Sequence, residues 1–166
     1  AQKLGLAGTE AHALNNLGTN EYLVGDPGRA LELFERAYTI WRDLGSTRQS
    51  MIPLRNIALC YRILGRDREA EAALLRSLEV SRDREFPREE ALVFTELAHL
   101  KFEMGLYHEA ARLHREVLML GDVAPLRTRA ENLKGLGRAL AEAVAVDQRR
   151  LRLQSHMVQR GHGEGY

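Results

Sequence analysis

The sequence predicts an all-α superhelix of about three and a half stacked helical hairpins, and three observations carry that prediction. Segments beginning at Asn15, Arg55 and Thr95 resemble one another at a spacing of 40 residues, twice over and without a gap. Small residues recur in that register: Gly18, Ala58 and Ala98, then Gly25, Gly65 and Gly105, then Ala30, Ala70 and Ala110. Between them the apolar residues Leu14, Leu17, Tyr22 and Leu23 fall at roughly helical spacing. Repetition of this period marks a solenoid, whose units bury their apolar faces only by stacking on neighbours.

The first helix of each unit runs up to its turn glycine, Gly25 in the first, since glycine suits the left-handed position that closes a helix. Asp26-Pro27 then supplies an N-cap and a first-turn proline for the second helix. Asp67 and the chain around Leu106 open the second helices of the later units. Ala30, Phe34 and Ala37 form one stripe, answered by Ala70, Leu74 and Ser77, and the small members let two backbones approach closely. The full units are expected at 11–50, 51–90 and 91–129.

Both ends are irregular. Ala1–Gly5 (AQKLG) lies 40 residues before Trp41–Gly45 (WRDLG), so residues 1–10 are expected to be the end of an upstream repeat's second helix. With no initiator methionine, the chain reads as a piece of a longer array. Over 130–160 the pattern returns after a one-residue deletion, with Leu133, Leu136 and Gly137 in register. Val144 replaces the turn glycine and Arg149 the alanine, leaving either a degenerate fourth repeat or a polar capping helix. Residues 161–166 (GHGEGY) are expected to be a tail.

This pattern resembles the tetratricopeptide repeat family over about residues 1–145. The small residue, turn glycine and second-helix alanine match in all three units, and Phe34 and Leu74 fit the large apolar position from which His114 departs. The family's tryptophan is replaced by Leu14, Leu54, Phe94 and Leu133, and its closing proline by Arg42, Arg82 and Asp122. The long repeat is similar to those of kinesin light chains, Pins-like polarity adaptors and large bacterial transcriptional activators. The arginine, alanine and leucine content also suggests a GC-rich bacterial gene.

The resemblance implies that first helices line a groove that binds a peptide or partner segment. Its residues are then His12, Asn15, Asn16, Thr19 and Tyr22 in the first unit. The second contributes Ile52, Arg55, Asn56, Leu59 and Arg62. Leu92, Thr95, Glu96, His99 and Phe102 follow, then Glu131, Lys134 and Arg138. Asn16 and Asn56 share one register position, where the resemblance implies a clamp on an extended peptide, since an amide both donates and accepts. The alternative is that these amides are simply solvated. Arg55, Arg62, Lys134 and Arg138 favour an acidic or C-terminal peptide, or else belong to an ordinary charged surface. Ile52, Leu59, Leu92 and Phe102 suit an amphipathic partner, or the chain's own C-terminal segment.

Charge and chemistry narrow the function classes. Twenty-four basic and 23 acidic residues give a net charge of +1, against general attraction to nucleic acid or membrane. Arg149, Arg150, Arg152 and Arg160 cluster without aromatic interleaving and read as a solvated helix. Cys60 is the single cysteine and suits a reducing, cytoplasmic setting and a small core position. His12, His99, His108, His114, His156 and His162 form no HExxH motif, and His108 and His114 are six apart, on different helix faces. KGLGR at 134–138 lies inside a first-helix pattern, not a phosphate loop, and Glu89, Glu90 and Glu96 are expected on helix surfaces. No catalytic, cofactor or metal site is expected. The reading is a protein-interaction module within a regulatory protein. The alternatives are a signal-sensing domain of a bacterial transcriptional regulator, or an assembly module forming homodimers through its exposed repeat ends.

Overall fold

Three-residue connections with a left-handed residue at their centre repeat along the chain, and they force each helix back against the one before. The computed structural model describes residues 2–161, with side chains described for 5–154. Among these the order is α1 (Gln2–Leu23), α2 (Pro27–Asp43), α3 (Thr47–Ile63), α4 (Asp67–Asp83), α5 (Pro87–Glu103), α6 (Tyr107–Met119), a 3-10 turn (Gly121–Val123) and α7 (Leu126–Gly161). Consecutive helices pack together, α5 also touches α7, and the chain is an all-α superhelix. Among the described residues no helix is long and apolar enough to cross a membrane.

The turn chemistry is the same each time. At Gly25 (φ +91°) the amide of Asp26 reaches Glu21 O at 2.9 Å and that of Gly25 reaches Tyr22 O at 3.2 Å. That pair of bonds satisfies carbonyls the helix end leaves open. Asp26 Oδ1 then accepts the Arg29 amide at 2.8 Å and caps α2. The connection after α4 keeps the motif with a non-glycine residue, Glu85, at φ +53°.

The core follows the repeat. Phe34, Leu54, Ile57, Leu74, Phe94, Leu97, Leu100 and Val117 are buried in one cluster, with Cys60 among them. A Cβ on Gly18 would lie 2.8 Å from the Phe34 ring, so the glycine makes room for that ring.

Departures from the repeat pattern concern the ends. Gly5 makes no turn, because α1 is continuous from Gln2 to Leu23. At Gly45 the helix is followed by Ser46 and Thr47, whereas Gly5 is followed by Leu6 and Ala7, which propagate a helix better. Val144 likewise makes no turn, and Leu126–Gly161 form one 36-residue helix in place of a folded fourth hairpin. The alanine-rich run RALAEAVA offers neither a left-handed residue nor a cap there. Leu17 and Leu133 are 46% and 62% exposed, although Ile57, Leu97, Leu14, Leu54 and Phe94, their register mates, are buried. Finally, apart from the backbone of Gly161, the expected tail lies outside the described residues, as do the side chains of His156, Arg160 and His162.

Candidate binding surface

The helices α1, α3, α5 and α7 bring fewer than half of the expected groove residues into two cavities. The larger, about 650 Å³, lies among α5, α6 and α7. It gathers His99, Phe102, Lys134 and Arg138 from the expected set, with Glu103, Glu131, His114, Arg127, Ala130 and Gly135. The smaller, about 290 Å³, brings His12, Ile52 and Arg55 beside Met51, Ser77, Glu89 and Val93.

Ion pairing differs among the cations of the two cavities. Several arginines are neutralised locally, as Arg48 is by Glu89 at 2.7 Å in the smaller cavity and Arg82 by Glu90 at 2.8 Å. Arg62 holds Glu96 at 3.5 Å and Glu103 at 3.4 Å, which removes it as a free inner-face cation and takes up one acid of the larger cavity. The other acid, Glu131, lies 3.8 Å from His99 Nε2. Among the described residues Arg55, Arg127 and Lys134 have no acidic partner within ion-pair distance. Arg138 stacks over the Phe102 ring at 4.9 Å, and Phe102 meets Tyr107 edge-on at 5.2 Å. The larger cavity is therefore positive and has an aromatic wall.

The expected clamp residues divide. Asn56 Nδ2 donates to Asn15 Oδ1 at 3.1 Å across α3 and α1, while Asn16 is exposed. Thr19 Oγ1 is turned back to Asn15 O at 3.0 Å. Tyr22 packs against the core and His12 stacks edge-on against Trp41 at 4.8 Å. Leu59 and Leu92 are half-buried. Asn15, Asn16, Thr19, Tyr22, Asn56 and Leu92 line neither cavity.

Thr95 corrects the expected set: it is only 5% exposed and lies beneath α7. Its hydroxyl donates to Ala91 O at 2.8 Å and accepts Asn132 Nδ2 at 2.8 Å. The second Asn132 Nδ2 hydrogen goes to Thr128 O at 2.8 Å. Its Oδ1, left as acceptor, lies 2.7 Å from His114 Nδ1, so that nitrogen carries the proton. His114 and Asn132 are 1% and 0% exposed. Burial holds the His114 pKa below its ordinary value, opposed by the Asn132 bond. A Cβ on Gly135 would come within 2.4 Å of the imidazole. The residue that departs from the apolar pattern in α6 is thus one side of a polar lock fastening α7.

The sequence marks His114 as a departure from the apolar pattern but does not single out its partners Asn132 and Thr128, nor Arg127. A signal was present: Asn132 stands, after the one-residue deletion, where Pro53 and Val93 are buried, and two polar departures on neighbouring helices suggest a pair. Elsewhere, burial pushes the Cys60 thiol up to about 11, which keeps it protonated as a core residue. Ser77 Oγ, at the edge of the smaller cavity, is buried without a hydrogen-bond partner.

Comparison with known proteins bears on the fold. A family model described as tetratricopeptide repeat matches residues 9–83. No curated protein matches the sequence. Among solved structures, the TPR domain of Arabidopsis FLU superposes with a TM-score of 0.62 at 16% identity, covering 68% of this chain and 95% of that one. BtubC (BKLC) from P. vanneervenii superposes with a TM-score of 0.72 at 17% identity, covering 94% of this chain. The chain spans 65% of BtubC's length. At these identities the likeness is one of fold.

Proposed function

We propose, from the tetratricopeptide repeat match over residues 9–83 and the all-α superhelical fold, that this chain is a non-catalytic module holding a segment of another protein against its first-helix face. The fold generally mediates contacts between proteins. The observation that carries the finer reading is the cavity of about 650 Å³, where Arg127 and Lys134 stand without acids beside the Arg138-covered Phe102 ring. Cations left unneutralised in a concave, partly apolar site favour a ligand that brings its own negative charge. An extended peptide continuing toward α1 meets the Asn56–Asn15 pair and Asn16, whose exposed amide can join its backbone.

A peptide-display selection on the purified chain tests this, counter-screened with Asn16→Ala/Asn56→Ala and with Lys134→Glu. Enriched peptides that lose at least about tenfold in affinity for Lys134→Glu support the reading, a loss of roughly 1.4 kcal/mol. Peptides indifferent to Lys134 and to both asparagines, or no enrichment at all, would refute it.

A further inference from the structure

A second surface of α7 calls for a partner of a different kind. Leu126, Ala130, Leu133, Gly137, Leu140 and Val144 follow one another at alternating steps of four and three, the spacing that keeps a seam straight along two wound helices. All six are exposed. Leu133 and Gly137 hold the register of Phe94 and Ala98, which in α5 are buried. In the first repeat the corresponding Gly18 lies under the Phe34 ring of its second helix. A Cβ on Gly137 would have nothing within 4 Å. The helix therefore presents a first-helix packing face, notch included, with no second helix on it among the described residues.

We infer that this seam pairs with the same seam of a second copy, antiparallel, to make a twofold dimer. Two features of the seam favour its own copy as occupant. When Gly137 of one chain lies opposite Leu140 of the other, the leucine enters the empty notch, and symmetry repeats the contact. The same alignment sets Leu133 against Val144 and Ala130 against Asp147. Asp147 then lies between Arg127 and Lys134, which stand three residues before and four after Ala130 on the same flank. Those two cations have no ion-pair partner among the described residues, and the Asp147 side chain is 54% exposed and ion-paired with His108 Nε2 at 3.2 Å. A parallel pair would instead place Lys134 near Arg129 of the other copy, like charges that oppose association. Large faces small, and acid faces base, only in the antiparallel arrangement. The seam lies beside the positive cavity and shares Ala130 with it, and Arg127 and Lys134 border both.

Sedimentation equilibrium of the full chain across the micromolar range tests the inference. The mass rises with concentration toward twice the 18.8 kDa of one chain, with a midpoint of roughly micromolar, as suits an interface at the small end of the standard range. Leu140→Glu weakens association at least about 100-fold, because it buries a charge at the centre of the seam. Circular dichroism confirms that the variant, changed at a surface position, keeps its helices. Asp147→Arg also weakens the dimer, and Arg127→Asp/Lys134→Asp/Asp147→Arg restores it. A chain that stays monomeric throughout overturns the inference, and so does a dimer indifferent to Leu140→Glu. Failure of the triple charge reversal to restore pairing overturns the antiparallel alignment.

Discussion

Replacing Asn132 by alanine probes the lock between α7 and the rest of the stack. Asn132 makes three hydrogen bonds in a site with no exposure, to His114, Thr95 and Thr128. Each contributes roughly 1 kcal/mol net, and the His114 Nδ1–H left buried without an acceptor adds about 1–2 kcal/mol more. Thr95 loses less, because its hydroxyl still donates to Ala91 O. The neighbouring cavity admits water, which repairs part of the deficit. The expected loss is about 3 kcal/mol, a large share of the stability of a domain this size. Repeat proteins unfold by units, so the loss should concentrate in α7. Hydrogen exchange read helix by helix, with urea denaturation beside it, measures both amount and place. Amides of α7 should exchange roughly 100-fold faster while those of α2 and α3 hold their rates. A change under about 1 kcal/mol, or acceleration spread evenly over all helices, would sink the argument that this network fastens α7.

Other perturbations test separate parts of the reasoning. The His114 pKa is depressed in the folded chain, so below its ordinary 6.5 the unfolded chain takes up the proton first. The stability tied to neutral His114 is therefore present above pH 6.5 and lost as pH falls through the folded value; His114→Phe should flatten that loss in denaturation curves, and an unchanged slope would count against it. Gly135→Ala, which drives a methyl into the imidazole, should destabilise by about 2 kcal/mol, yet in a His114→Ala background it should be neutral or gain up to about 1 kcal/mol in thermal melts. Glu85→Gly relieves a left-handed non-glycine residue and should stabilise by about 0.5–1 kcal/mol, so a lower melting temperature would refute the strain at that turn.

The local signals were legible because they are local. Gly25, Gly65 and Gly105 mark turns through backbone sterics alone, and all three lie at positive φ. The alternation of small and large residues that packs Phe34 over Gly18 shows in the repeat because each unit must solve the same packing problem. Failures came where the repeat runs out of neighbours. Leu133 has the register of a core residue and is exposed, because burial depends on a partner helix that register cannot guarantee. Thr95 was assigned to an open face and is covered by α7.

By itself, then, the sequence determined the superhelix, its period and the glycine turns, since all of these follow from steric preferences and apolar spacing within about forty residues. Only the tertiary structure decided which inner cations stay unneutralised. Arg62 is taken by Glu96 and Glu103, from the neighbouring first helix, while Lys134 keeps its charge free. It also decided that His114, Asn132 and Thr95, separated by up to 37 residues, form one buried network. Hydrogen bonds and ion pairs depend on distances of a few tenths of an ångström between distant segments, and no pattern along a single chain carries that information.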